Sequence, residues 1–337
     1  MNPFAYEKAS GQAAAVRAGA VRGAKFLGGG TNLVDLMKYG VEHPVTLVDV
    51  NHLGMNMVTE TADGGVRIGA SVKNSALAND ATIVEKYPLL SQALLNGASA
   101  QLRNMATTAG NLMQRTRCYY FMDTAFPACN KREPGSGCAA VEGFNRIHAV
   151  LGQTDEGAKA AHTCIATNPS DMNVALHALG ASVEVLGPKG MRMIPVRDFH
   201  RLAGNMPNLE TNLHPDELIV AVTLPPSKFA KNSWYLKVRD RQSYAFALVS
   251  VAVGLEMDGG TIKSAGLALG GVAHMPWRVK AAEAVLVGQQ ASAEVFRKAA
   301  EATLVGAKGY EHNAFKIELA KQSVVRALMV AAKGAQA

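Results

Sequence analysis

The sequence lacks several things that would place it quickly. No segment reaches the roughly eighteen apolar residues that a helical bilayer span requires. The nearest candidate, Tyr244 to Leu255, is short and broken by Ser250 and Gly254. The net charge is +7, yet there is no basic run or aromatic-interleaved basic patch, so nucleic acid is not an expected partner. A mildly basic enzyme surface, or one facing an acidic partner, accounts for the charge. The N-terminus, MNPFAYEKAS, has no charged-then-apolar signal layout, which by itself points to a cytosolic chain unless something else carries it out. Only four cysteines occur, none before Cys118 or after Cys164.

Within 337 residues there is room for two packed units, and 48% hydrophobic with 18% charged residues is ordinary for a globular enzyme. The first hundred residues alternate helix and strand patterns. An Ala-rich amphipathic stretch at Gln12–Val21 precedes the apolar run Lys25-Phe26-Leu27, then Gly28-Gly29-Gly30 and a helical pattern carrying Leu33, Val34, Leu36 and Met37. Leu47–Val50 and Val66–Ala70 read as buried strands, and Pro88–Asn96 as a helix with proline in its first turn. From Gln114 to His162 periodicity disappears, and an irregular stretch of that length inside a compact chain is functional or disordered. Regularity returns with a helix at Met172–Leu179 and strands at Ala181–Leu186 and Glu217–Leu224, the last closed by Pro225-Pro226. A second block follows, with strands near Ser233–Val238, Ala245–Leu255 and Ile262–Leu269 and helices at Pro276–Leu286, Ser292–Leu304 and Phe315–Ala332. The expected boundary is near residue 226, giving parts 1–226 and 227–337, with an insert at about 113–165 and no internal repeat.

Two loops carry candidate chemistry. Phe26-Leu27-Gly28-Gly29-Gly30-Thr31-Asn32-Leu33 reads as strand, turn, helix; glycines let the backbone approach a ligand closely, and successive amides make a concave anion site suited to a pyrophosphate. The alternative is a plain glycine-rich turn. Neither the G-x-G-x-x-G fingerprint nor the G-x-x-x-x-G-K-[ST] phosphate loop is present, so Rossmann and P-loop readings lose ground. The second loop, Leu102-Arg103-Asn104-Met105-Ala106-Thr107-Thr108-Ala109-Gly110-Asn111-Leu112, offers amides, hydroxyls and an amide side chain for the other side of a pyrophosphate; alternatively its polar residues serve as caps.

The cysteines are spaced C-x10-C-x8-C-x25-C, all inside the irregular stretch. Four thiolates complete the ligand set of an iron–sulfur cluster. The C-x2-C pairs of zinc ribbons are absent, which weakens zinc, and two disulfides in any of three connectivities are a further option. His148 and His162 are conceivable substitute ligands, although hydrogen-bonded or surface histidines are commoner.

Taken in order, the two loops resemble the FAD-binding subunits of the xanthine dehydrogenase and aldehyde oxidoreductase (molybdenum hydroxylase) family. That family carries a G-G-G-T-N-L-type loop and then R-N-x-G-T-x-G-G-N-L. Here Ala106 and Ala109 replace two of the glycines. The resemblance continues through Pro169-Ser170-Asp171, Lys237-Val238-Arg239-Asp240-Arg241 with the Ala245–Val253 strand, and Gly270-Gly271-Val272-Ala273 with Pro276-Trp277-Arg278. The segment from Gln114-Arg115-Thr116-Arg117-Cys118 through Cys129-Asn130-Lys131-Arg132 to Pro134-Gly135-Ser136-Gly137-Cys138-Ala139-Ala140 resembles the insert found in the bacterial periplasmic aldehyde oxidoreductases of that family.

The resemblance implies an α+β fold: a two-part FAD-binding domain of the PCMH type, then a smaller C-terminal domain of the CO dehydrogenase flavoprotein type. It implies an electron outlet, in which a large subunit oxidises aldehyde at a molybdopterin-type molybdenum cofactor. Electrons would cross [2Fe–2S] clusters in a small subunit, reach FAD here, and leave to an external acceptor. No residue of this chain would be catalytic toward aldehyde. By carry-over, Lys25, Phe26, Leu27, Gly28, Gly29, Gly30, Thr31, Asn32 and Leu33, with Asn104, Ala106, Thr107, Thr108, Gly110 and Asn111, would hold FAD. Asp171 would bond the ribityl or ribose region and Lys237 would lie near the isoalloxazine. Asp171 also suits an N-cap, and Lys237 a solvated strand position. Cys118, Cys129, Cys138 and Cys164 would hold a [4Fe–4S] cluster, with Arg115, Arg117, Lys131 and Arg132 supplying positive charge beside it.

Export as part of a complex is the expectation from the same likeness, with a cytoplasmic enzyme as the alternative. The competing functions are a xanthine dehydrogenase-like FAD subunit, an independent flavin oxidase, and a metal-braced assembly module. No cysteine or histidine beside the glycine loop is available for the covalent flavin link that an independent oxidase would favour.

Overall fold

A computed structural model describes residues 1–334, so the last three residues of the block expected to reach 337 lie outside the described residues. Eleven strands form three sheets among the described residues. β1 (Ala5–Lys8), β2 (Ala24–Leu27) and β3 (Thr46–Asp49) make a small parallel sheet in the order β1-β3-β2. β4 (Val58–Glu60), β5 (Val66–Gly69), β6 (Ser182–Gly187), β7 (Gly190–Pro195) and β8 (Leu218–Leu224) make an antiparallel sheet in the order β4-β5-β8-β6-β7. β9 (Ser233–Val238), β10 (Val249–Asp258) and β11 (Thr261–Gly270) form an antiparallel meander ordered β11-β10-β9. The architecture is the expected α+β. Pairing of Val66 with Leu224 joins β5 to β8 across the long stretch of chain between them, the irregular region included.

The sequence dictates these elements locally. The helix Asp171–Leu179 is buried on every side, which makes it a central packing element rather than a surface one. Ser170 caps it by accepting the Asn173 N–H at 3.1 Å, and Gly180 ends it at φ +72°. The cap is therefore Ser170, one residue before the position expected, and Asp171 is the first helical residue. The same helix lies on the small-residue face of β10 and β11: a Cβ at Gly270 would meet the Val174 side chain at 2.5 Å. On the opposite face of β10, Val249, Val251, Val253 and Leu255 enter a second core with the helix Phe315–Ala332. The helix Ala293–Thr303 buries Phe296, Ala299, Ala300 and Thr303, the spacing of one helical face, and Ser292 caps it. None of the described helices is long and apolar enough to cross a membrane.

Between Asp123 and Ser170 there is no helix or strand, only isolated bridges such as Cys129 with Cys138 and Thr154 with Cys164. This irregular segment is nonetheless buried into the rest. Val150 and Leu151 belong to the second core, and Lys316 of the C-terminal helix is fully buried against the segment. The Lys316 Nζ donates to the His148 carbonyl at 2.8 Å and to the Gly271 carbonyl at 2.5 Å. Burial, with a smaller push from Arg146, lowers the Lys316 ammonium to about 7.

Candidate flavin cleft and cysteine site

The glycine loop follows β2 and packs directly on the second loop. A Cβ at Gly28 would stand 2.8 Å from Thr107 Oγ1, and one at Gly29 would stand 2.7 Å from the Met105 carbonyl carbon and nearer still to its oxygen. Two of the glycines are thus required for the loops to touch. Gly30 adopts φ +73°, where a side chain is strained. Asn51 fixes the start of the loop by donating to the Gly28 carbonyl at 3.0 Å and to Asp49 Oδ1 at 2.8 Å. Tyr6 donates to the other Asp49 oxygen at 2.5 Å.

Three clefts meet at this junction. One of about 580 Å³ is lined by Thr31, Asn32, Arg103, Asn111, Asp171 and Lys237, with Tyr244 and Phe246 at its mouth. Another of about 540 Å³ shares Asn32 and Gly110 with it and includes Lys25, Phe26, Leu33, Thr107, Arg115 and Glu210. The third, also about 540 Å³, lies beyond Gly28 among Asp49, Asn51, Lys73 and Met105. Asn32 is the pivot: its Oδ1 accepts the Arg115 backbone N–H at 3.0 Å, and its buried Nδ2 has no protein partner. A buried amide donor left open costs about 1–3 kcal/mol unless something accepts from it. An anionic or carbonyl-rich ligand would do so, and the residues present fit an extended dinucleotide.

Lys237 and Asp171 form a buried ion pair at 2.7 Å, with side chains only 1% and 7% exposed. Tyr235 donates to Asp171 Oδ1 at 2.6 Å, and Lys237 also donates to the Asn96 carbonyl at 3.0 Å. Burial pushes the Asp171 carboxyl up, against the pull of Lys237 and the Tyr235 hydroxyl. The solvated alternative for Lys237 is overturned, because its side chain is 1% exposed and its strand packs against the helix Pro88–Asn96. The pair presents a dipole to the cleft, not a bare cation.

Other expected positions are distributed less favourably. Thr108 is spent internally, donating from its hydroxyl to the Val72 carbonyl at 3.1 Å. Asn104 is exposed at the end of the helix Ala100–Met105 and lines none of the three clefts. Thr107 caps the helix Thr108–Leu112 by accepting from the Gly110 N–H at 3.1 Å, while also lining a cleft. Asn111 accepts from the Ser170 hydroxyl at 2.8 Å. The alanine departures cost little: Ala106 is extended at φ −60°, and Ala109 lies within a helical turn, so neither position demands glycine. Asn51, Lys73 and Tyr244 were not signalled by the sequence. Tyr244 has φ +50°, an uncommon value for a non-glycine residue and one found at strained functional loops.

The four cysteines converge. All are free, all are buried, and they share one apolar cluster with Leu36, Phe121 and Ile165. Asn130 is the staple: its Nδ2 donates to the Ala160 and Thr163 carbonyls, each at 2.8 Å, and its Oδ1 accepts from Gly135 and Gly137 at 3.0 and 2.8 Å. One fully buried side chain thereby ties the Cys129 turn to the strands of chain that bear Cys138 and Cys164. Burial first, then the neighbouring thiols, drive Cys118 well above the usual thiol range. Burial raises Cys164 to about 12 against the opposing pull of Lys131. Such thiols ionise only when cations neutralise them, as metal binding does.

His148 places Nε2 3.0 Å from Cys118 Sγ, while His162 is half-buried on the loop before Cys164. Of the four basic residues expected to charge this site, only Lys131 acts on a thiol. Arg115 pairs with Glu42 at 2.6 Å and Glu210 at 3.3 Å, and Arg117 pairs with Asp35 at 2.8 Å. Arg132 donates to the Tyr120 and Phe121 carbonyls. The reason is local: each guanidinium lies nearer an acceptor that needs it than it does a sulfur.

Residues 2–227 match the family described as the FAD binding domain in molybdopterin dehydrogenase. The chain belongs to that family. Residues 234–331 match the CO dehydrogenase flavoprotein C-terminal domain. An aldehyde oxidoreductase FAD-binding subunit of Escherichia coli is 52% identical over 331 residues, covering 97% of this chain and 98% of that one. The carbon monoxide dehydrogenase medium chain of Afipia carboxidovorans is 27% identical over 79% of this chain and 72% of its own. Among solved structures, the reconstituted CO dehydrogenase from Oligotropha carboxidovorans superposes with a TM-score of 0.77 at 24% identity, covering 99% of each chain, and shares the fold.

Proposed function

We propose that this chain is the FAD- and [4Fe–4S]-containing electron-transfer subunit of a molybdenum-dependent aldehyde oxidoreductase complex. The observation that carries the flavin reading is the single cleft in which Asn32, Asn111 and the Lys237–Asp171 pair face one another. In this reading Gly28 to Leu33 with Ala106, Thr107, Gly110 and Asn111 surround the pyrophosphate. Asn32 donates to it, and the ion pair holds the ribityl and ring end. Lys25, Phe26 and Leu27 brace the loop, with Thr108 and Asn104 in supporting positions. A bound flavin supplies the redox chemistry, and the protein supplies its placement and surroundings.

Cys118, Cys129, Cys138 and Cys164 are proposed as the cluster ligands. Zinc–sulfur bonds of about 2.3 Å put four tetrahedral sulfurs about 3.8 Å apart. Among the described residues no group of three or more His, Cys, Asp or Glu is drawn together closely enough to hold a single metal ion; the cluster reading rests on four free, buried cysteines sharing one side-chain cluster. We further propose a division near residue 226 into an FAD-binding part (1–226, insert about 113–165) and a C-terminal part (227–337). The partners are a small [2Fe–2S] subunit and a large subunit with the molybdopterin-type cofactor, in a complex exported to the periplasm.

Purification followed by an absorbance spectrum and metal analysis tests the reading. Expected are one flavin, with about four irons and four labile sulfides per chain, and no aldehyde turnover by the chain alone. Zinc without iron in anaerobically prepared protein would remove the cluster assignment; brisk aldehyde oxidation by the single chain would remove the electron-outlet role.

A further inference from the structure

The cysteine site and the flavin cleft are joined by a chain of polar and charged groups that runs from a buried lysine through half-buried side chains. Its first link is the Arg115 backbone N–H on Asn32 Oδ1 at 3.0 Å, on a residue that lines the cleft and whose buried Nδ2 has no protein partner. The Arg115 side chain lies over the Phe121 ring at 4.6 Å and is held by Glu42 and Glu210. Glu210 in turn takes Lys131 Nζ at 3.0 Å, and that ammonium, 2% exposed, also donates to the Pro207 carbonyl at 2.8 Å. Lys131 is separated from Cys129 only by Asn130, the staple of the thiol site. It lines none of the three clefts.

A chain of this kind transmits position because no member can move alone. Withdrawing Lys131 leaves Glu210 as a buried carboxylate with one cation instead of two. Arg115 must then shift toward Glu210 and away from Glu42, and its backbone carries Asn32 with it. We propose that Arg115 and Lys131 are positioning residues that make flavin affinity depend on an ordered cysteine site, an inference resting on the flavin reading of the cleft. The coupling is reciprocal, so flavin also steadies the cysteine insert.

The test uses the full chain. Lys131→Met replaces no cleft-lining residue and no thiol, and is expected to weaken FAD binding by about fivefold or more, read by fluorescence titration. Lys131→Arg, which keeps a cation on Glu210, is expected to remain near the unmodified affinity. Equal affinity for the Met variant and the unmodified chain overturns the proposal. Should the Met variant not fold, hydrogen exchange on the unmodified chain decides. Added FAD should slow exchange at residues 128–133, and protection confined to cleft-lining segments overturns the coupling. Anaerobic removal of iron with a chelator should lower FAD affinity in the unmodified chain and change it little in Lys131→Met. A chain that never contains iron removes the cluster reading alone, while the variant and exchange results still decide the coupling.

Discussion

Gly29→Ala tests whether contact between the two loops builds the flavin cleft. The added methyl would stand 2.7 Å from the Met105 carbonyl carbon, about 1 Å inside the ordinary separation of two carbon atoms. Because the obstacle is backbone, no rotamer change relieves it, and the loops must separate. Met105 cannot retreat freely: its carbonyl is held by Lys73 Nζ at 3.0 Å, and the next carbonyl, Ala106, accepts from the Asn74 N–H at 2.9 Å. Overpacking of this kind costs about 1–3 kcal/mol, equivalent to about 5- to 150-fold if it falls wholly on ligand affinity. Fluorescence titration with FAD and urea unfolding of the flavin-free chain would divide the cost between binding and stability. Gly11→Ala is the control, since nothing lies within 4 Å of its would-be Cβ. A Gly29→Ala chain with unchanged affinity and unchanged unfolding midpoint would refute the packing account.

Three further perturbations address the charged groups and thiols. Lys237→Met strands Asp171 in a buried site with Tyr235 as its remaining side-chain partner, and should cost about 3–5 kcal/mol in urea unfolding; adding Asp171→Asn should recover part of that loss, as a double-mutant cycle would show. For Glu210, burial raises the carboxyl, but Lys131 and Arg115 outweigh it and hold it at about 2. Its folded value is therefore depressed, so its contribution is complete above the unfolded value near 4.5 and is lost as pH falls toward 2. Unfolding free energies compared at pH 6 and pH 3 should fall by on the order of 2 kcal/mol more in the unmodified chain than in Glu210→Gln. Cys138→Ser should lower iron content while leaving the spectrum of any bound flavin recognisable, and full iron retention would show that Cys138 is not a ligand.

Much of the framework was legible because it follows local rules. The helix Pro88–Asn96, the strand Ser233–Val238 and the helix Phe315–Ala332 have the bounds that periodicity and proline placement suggested. β1, β4 and β7 were not seen, since Ala5–Lys8 is exposed throughout and Gly190–Pro195 buries only Ile194, so neither has an apolar face to read. At the cleft, the glycine loop was visible in one stretch of chain. Its reason was not: that Gly29 faces Met105 depends on a pairing about seventy-five residues apart, which periodicity cannot encode. The Lys237–Asp171 pair and the Lys131–Glu210 link are likewise long-range, and a lone lysine on a strand gives no local sign that its charge is buried. The family likeness brought both Asp171 and Lys237 to attention, but their mutual bond belongs to the fold.

The buried Lys316 bears on how the cysteine segment and the C-terminal helix depend on each other. Its ammonium is held by two carbonyls, one in the cysteine insert at His148 and one in the C-terminal block at Gly271. Excising the segment would remove one of those acceptors and leave the buried lysine with the Gly271 carbonyl alone. The two parts of the chain are therefore mutually dependent: a chain deprived of the segment should unfold less readily in urea with an apolar residue in place of Lys316 than with the lysine kept.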